Sequence, residues 1–228
     1  MKNQELIKKA IVDTIPVMTG YLVLGIGFGI FSAKSGYGFP WVLAMSLFVY
    51  AGSMQFVLVS LLTGGASVLT TALTTLMVNA RHLFYGISMI DRYKDAGPRK
   101  PYMIFALTDE TYSLVCRDIP EGIDRNKYCF LVSLFDQIYW VSGTCLGALA
   151  GSLMTFNTTG IEFSMTALFV TVFVEQWLST KDHLPAIAGV VLSVVSLVIF
   201  GRDNFLIPAM IAIVLVLLGK RTLERRSA

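Results

Sequence analysis

Trp41-Val42-Leu43-Ala44-Met45-Ser46-Leu47-Phe48-Val49-Tyr50-Ala51-Gly52-Ser53-Met54-Gln55-Phe56-Val57-Leu58-Val59-Ser60-Leu61-Leu62-Thr63 carries no charged side chain, and small residues and an amide lie at its centre. A bilayer core of ~30 Å takes about 20 apolar residues as one helix, so this stretch is long enough to cross. Ala51-Gly52-Ser53 and the nearby Gln55 weaken its middle and allow two half-helices to meet there in a re-entrant hairpin. Backbone that leaves the helix inside a bilayer must be buried in protein or line a water-filled cavity, because lipid cannot satisfy its N–H and C=O groups. The Ala51–Phe56 break is therefore the first place to expect a site.

The rest of the chain has the same character. Of 228 residues, 55% are hydrophobic and 14% charged, and the mean hydropathy is +0.68. An ordinary soluble domain is about a quarter charged, so the solvent implied here is lipid. Apolar segments run over Pro16–Ala33, Trp41–Thr63, Ser67–Ile90, Cys129–Thr155, Phe163–Ser179, Leu184–Phe200 and Phe205–Gly219, with a weaker one at Pro101–Cys116. The expected fold is an all-α polytopic membrane protein of about 6–8 hydrophobic helical segments, some broken or re-entrant, forming a single transmembrane domain over 1–228. Residues 1–14 read as a cytoplasmic or interfacial segment and 220–228 as a basic cytoplasmic tail. A β-barrel is excluded, since the runs are continuous and too long for period-two strands.

Charge placement restricts the topology. Lys2, Lys8 and Lys9, the Arg92/Lys94/Arg99/Lys100 loop and the Lys220/Arg221/Arg225/Arg226 tail all belong on the cytoplasmic side by the positive-inside rule. Three full spans between Lys9 and Arg92 would put that loop outside, so Trp41–Thr63 is expected not to cross. Pro101–Cys116 meets the same difficulty with Arg117, Arg125 and Lys127, and is read as a second non-crossing element. The net charge of +3 is small, its basic residues are distributed as lipid headgroup contacts, and nothing supports nucleic acid binding. Cys116, Cys129 and Cys145 are scattered and odd in number, so neither a disulfide framework nor a metal site is encoded. No H-E-x-x-H, G-x-S-x-G or P-loop is present, which argues against an enzyme and against an ATP-driven pump.

Ionisable residues inside the apolar segments are costly and mark function or helix pairing. They are Arg81 and His82 in the third segment, Asp109 and Glu110 in the fourth, Asp136 in the fifth and Glu175 in the sixth. Arg81 lies about nine residues inside the segment end, ~14 Å at ~1.5 Å per residue, and requires a carboxylate partner, with Asp109 and Glu110 the nearest in sequence. Asp136 and Glu175 lie closer to segment ends and read as snorkelling or packing residues. Thr71, Thr75, Asn79 and His82 follow helical spacing and form a polar stripe, which faces protein or a permeation path rather than lipid. Gly25 and Gly29, and Gly143, Gly147 and Gly151, have the spacing that lets helix backbones approach closely.

The strings Ala51-Gly52-Ser53-Met54-Gln55-Phe56, Asn79-Ala80-Arg81-His82-Leu83-Phe84-Tyr85-Gly86, Thr108-Asp109-Glu110-Thr111 and Phe173-Val174-Glu175-Gln176-Trp177, in this order and at these distances, resemble the AzlC family of branched-chain amino acid exporters. Met54 and Ala80 depart mildly from the residues usual there. The resemblance implies a bacterial inner-membrane permease for leucine, isoleucine, valine or their analogues, working with a small AzlD-type membrane subunit and needing no cofactor. A zwitterionic aliphatic substrate needs a donor-rich place for its carboxylate, an acceptor for its ammonium and an apolar pocket. Ser53, Gln55, Asn79, Arg81, His82 and Phe84 are the expected binding residues. Asp109, Glu110 and Glu175 are the expected proton-coupling or ion-pair residues. A passive channel, or a structural subunit whose path lies in a partner, would use the same residues differently.

Overall fold

The computed structural model describes residues 3–117, 119, 122–153, 163, 166–167, 170, 173–174, 177–178, 180 and 182–227, with backbone alone at 83–84, 202–204, 206–207, 210 and 221–227. Among these residues every regular element is helical. The chain divides into two compact units, Met1–Met165 and Thr166–Ala228.

In the first unit, α1 (Asn3–Lys34) and α8 (Arg125–Leu153) form the central pair. Helix α1 runs without interruption from Asn3 through Pro16 to Lys34, so residues 3–14 and the first apolar segment share one helix. The two helices are parallel. Lys127 donates to Asn3 at 2.7 Å and Tyr128 to Asp13 at 2.7 Å near their starts. Farther along, Tyr21 meets Trp140 edge-on, Gly25 faces Gly143, and Gly29 faces Thr144 and Gly147. A Cβ on Gly29 would run into the Thr144 carbonyl, and one on Gly147 into that of Ile26. The two glycine spacings are thus the two halves of one contact that only bare backbone can make.

Since α1 and α8 point the same way, the chain between them must make a net return. Helix α2 (Phe39–Phe48) starts beyond the C-terminal end of α1 and descends along α8, past Thr144, whose hydroxyl meets Ser46 at 2.9 Å, to Gln137, which donates to the Leu47 carbonyl at 3.3 Å. Helix α3 (Gly52–Thr63) then turns back from the level of Trp140 to that of Phe28 and Phe31, against which Phe56 packs. The pair enters and leaves at one end. Helices α4 (Val68–Val78) and α5 (Ala80–Met89) make the return, interrupted at Asn79 (φ −92°, ψ 3°). Met89, Tyr93 and Ala96 then join Leu6, Ala10, Tyr128 and Val132 in a cluster at the N-terminal ends of α1 and α8.

Helices α6 (Lys100–Phe105) and α7 (Asp109–Val115) form a second hairpin from that end. Met103 and Val115 both lie in the same cluster, and Arg92 donates to the carbonyls of Val115 and Arg117 at 3.2 and 2.9 Å. Two hairpins therefore enter from opposite ends and meet near the level of Tyr21. The expected continuous polar stripe from Thr71 to His82 does not form on one helix, because the backbone breaks at Asn79 and redirects His82.

In the second unit, α9 (Leu184–Asn204) is kinked at Gly201, whose φ of 72° closes the first apolar run, and α10 (Leu206–Ser227) follows. Lys220 pairs with Asp182, bringing the far part of α10 to the start of α9, an antiparallel pair. The basic tail continues α10 as helix. Of the expected Phe163–Ser179 segment, residues 163, 166–167, 170, 173–174 and 177–178 are described, all helical, and Glu175 lies outside the described residues. Asn3–Lys34, Arg125–Leu153 and Leu184–Gly201 are each long and apolar enough to cross a membrane.

Candidate functional site: a cavity at three helix breaks

All three interruptions of the first unit open on one cavity of about 410 Å³, within the ~300–1,000 Å³ usual for small-molecule sites. Tyr50 and Ala51 come from the α2–α3 break, Asn79 from the α4–α5 break and Leu107 from the α6–α7 break; His82, Tyr93 and Lys100 add polar groups. Tyr50 has φ 42°, a left-handed conformation that costs a tyrosine on the order of 1–3 kcal/mol and persists only where the surroundings hold it. Its hydroxyl is buried beside that of Tyr21, whereas the Asn79 Oδ1 and the Tyr93 hydroxyl are buried without a hydrogen-bond partner among the described residues. A buried polar atom left unpaired costs ~1–3 kcal/mol, so a bound molecule able to pair them gains what the empty cavity lacks. The remaining wall is apolar, with Val49, Met89, Ile90, Ile104 and Phe105.

Beside the breaks, Arg81 forms an ion pair with Asp109 at 2.6 Å and donates to Ser53 Oγ at 2.9 Å. One guanidinium thus fastens the first turns of α3, α5 and α7. Both partners keep about a third of their side-chain surface, 33% and 28%. The pair is not saturated, since Arg81 Nε makes no hydrogen bond among the described residues. Glu110, next in sequence, turns elsewhere and accepts from the Tyr21 hydroxyl at 2.7 Å.

The expected binding residues separate into groups. Asn79 and His82 line the cavity, with His82 Nδ1 3.2 Å from the Asn79 carbonyl. Ser53 and Arg81 belong to the staple. Gln55 is fully buried elsewhere: its carbonyl accepts from Trp140 Nε1 at 2.8 Å and its amide donates to Ser46 at 3.3 Å. It locks α2 and α3 to α8. The side chain of Phe84 and all of Glu175 lie outside the described residues.

Of the two readings for Asp136, packing rather than snorkelling describes it: it is 0% exposed and accepts from Thr111 Oγ1 at 2.7 Å, which ties α7 to α8. Sequence reasoning missed Tyr50, Tyr93 and Lys100. Tyr50 alone carried a signal, because it stands immediately before the small-residue break. Thr108 caps α7, accepting from the Thr111 N–H at 3.2 Å, a role the Thr-x-x-Thr spacing permits.

The chain is similar to known proteins along most of its length. The chain is 45% identical over 205 residues, 90% of its length and 81% of the relative's, to the branched-chain amino acid transport protein AzlC of Bacillus subtilis. It is 42% identical over 212 residues to a membrane protein of Helicobacter pylori, covering 92% and 93% of the two chains. The inner membrane protein YgaZ of Escherichia coli is 25% identical over 197 residues, 83% of this chain and 80% of its own. No solved structure matches. These relatives are named as transport and membrane proteins, not as enzymes. The family profile described as AzlC protein matches residues 16–154, which take in α1 from Pro16 onward, all of α8 and all three breaks, and the chain belongs to the AzlC family.

Proposed function

We propose that the protein is a multi-pass inner-membrane secondary transporter that exports leucine, isoleucine, valine and their analogues, coupled to the proton gradient and working with a small AzlD-type membrane subunit. The observation that carries this reading is the cavity at the three breaks, apolar over most of its wall and holding unpaired polar atoms at Asn79 and Tyr93. Asn79 Oδ1 accepts from the substrate ammonium. The Tyr93 hydroxyl and the Lys100 ammonium serve its carboxylate, and the branched side chain faces Ile90, Ile104 and Phe105. A methylene contributes only ~1–3 kcal/mol of discrimination in such a pocket, so the aliphatic amino acids compete with one another. The Arg81–Asp109 pair joins three half-helices and, with a third of its surface open, can rearrange as they move. The relative named for branched-chain amino acid transport supports the substrate class.

The test is efflux of labelled leucine from preloaded cells that produce the chain with its subunit. Asn79→Leu, which removes the acceptor, is expected to raise the half-saturating leucine concentration about tenfold or more, the equivalent of ~1.4 kcal/mol. Unchanged saturation in Asn79→Leu would remove the cavity from the pathway. Arg81→Ala in a complex that still assembles is expected to abolish efflux.

A further inference from the structure

Five oxygens from three helices and a capping residue form an unbroken line. Glu110 Oε2 accepts from the Tyr21 hydroxyl at 2.7 Å, and that hydroxyl lies 2.7 Å from Thr108 Oγ1. Thr108 Oγ1 donates to Thr111 Oγ1 at 3.1 Å, and Thr111 Oγ1 donates to Asp136 Oδ2 at 2.7 Å. The line thus makes four oxygen–oxygen contacts but contains three hydroxyl hydrogens. With both carboxyls ionised, one contact must lack a hydrogen and set two lone pairs against each other. A single extra proton fills all four.

That proton has two placements. On Glu110, each group donates toward Asp136, the direction in which the Thr108–Thr111 bond runs here; on Asp136, each donates toward Glu110 and that bond is reversed. We propose that Glu110 and Asp136 share one proton through Tyr21, Thr108 and Thr111, and that this chain is the proton path of the transporter. In transfer, the Asp136 O–H breaks as its proton reaches Thr111. The hydrogen of Thr111 passes to Thr108, that of Thr108 to Tyr21 and that of Tyr21 to Glu110. Four O–H bonds break and four form, and every hydroxyl ends neutral.

The surroundings suit this role. No cation pairs with Asp136 or Glu110 among the described residues, the one nearby guanidinium, Arg81, being engaged by Asp109 and Ser53. Among the described residues, the titratable groups that face the two carboxyls are the phenols of Tyr21 on α1, Tyr50 after α2, Tyr85 on α5 and Tyr102 on α6. The ends differ in access: Asp136 is 0% exposed, whereas Glu110 is partly open. Protons therefore enter and leave at the Glu110 end in this conformation. The Thr111 N–H, bonded to Thr108 Oγ1, holds the middle of the line in place.

The use of the proton for transport rests on the function proposed above; its sharing does not. Infrared spectra of the full chain in lipid vesicles at neutral pH are expected to show one protonated-carboxyl C=O band that disappears in Asp136→Asn or moves there with loss of intensity. No such band in the unmodified protein, or one indifferent to Asp136→Asn, would overturn the sharing. Leucine flux driven by a proton gradient, divided by leucine–leucine exchange in the same cells, is expected to fall roughly a hundredfold in Thr111→Val, as for loss of a positioned proton-transfer group. It should return to within about twofold in Thr111→Ser. Equal ratios in the valine and serine variants would overturn the path. Absence of any leucine movement in the unmodified protein would sink the transport reading and leave the infrared result to decide the shared proton.

Discussion

At the scale of single residues, burial separates side chains that resemble one another in the sequence. Gln55 and Asn79 are both amides beside small residues at helix interruptions. Gln55 is spent on Trp140 and Ser46, while Asn79 keeps a free Oδ1 in the cavity. Replacing Gln55 with Leu leaves the Trp140 N–H without its partner in a dry place, at a cost of ~1–3 kcal/mol. Thermal unfolding of the purified protein is expected to shift downward, while leucine efflux at a permissive temperature stays within about twofold. Unchanged unfolding with lost efflux would instead put Gln55 on the substrate path. Likewise Asp109 and Glu110 are neighbours with separate duties, one holding Arg81 and the other Tyr21. A turn of α7 decides between them, and adjacency in the chain does not reveal it.

At the scale of elements, the glycines of α1 and α8 and the helix breaks act together. Facing glycines bring two long helices into backbone contact, giving a rigid parallel pair with hydroxyls and indole projecting toward the half-helices. Adding a side chain at Gly147 forces the pair apart, because the obstacle is the Ile26 backbone rather than a side chain that could turn away. Overpacking of this kind costs ~1–3 kcal/mol or more. Gly147→Leu is expected to lower the amount of folded protein recovered from membranes severalfold, measured by fluorescence-detected size exclusion, whereas Gly20→Leu, where a Cβ meets open space, leaves it unchanged. Both glycine spacings were legible in the sequence. That they face each other in a parallel arrangement was not, since spacing says nothing about which helix is the partner.

At the scale of the whole molecule, the two hairpins account for the charge pattern. Lys8 and Lys9, the Arg92–Lys100 loop, Arg117 and Arg125 with Lys127 all belong to the end where α1 and α8 begin. By the positive-inside rule that end is expected on the cytoplasmic side. Single cysteines at Ser35 and Ala66, in a background without the native ones, are both expected to react with an impermeant thiol reagent added outside intact cells. One at Asp95 is expected to stay protected until the cells are opened. Labelling of Ser35 and Ala66 from opposite sides would rule out the α2–α3 hairpin as a re-entrant element. Composition by itself determined that the chain lives in lipid, because so few charges cannot solvate so many apolar residues, and charge order along the chain determined that Trp41–Thr63 and Pro101–Cys116 turn back. The small residues at Ala51–Ser53 located one break to within a few positions. Only the tertiary structure decided that three breaks share one cavity, that Gln55 is structural and that Asp136 closes a line of hydroxyls. Those facts depend on which helix faces which, and hydrogen-bond partners distant in the chain leave no periodic trace in it.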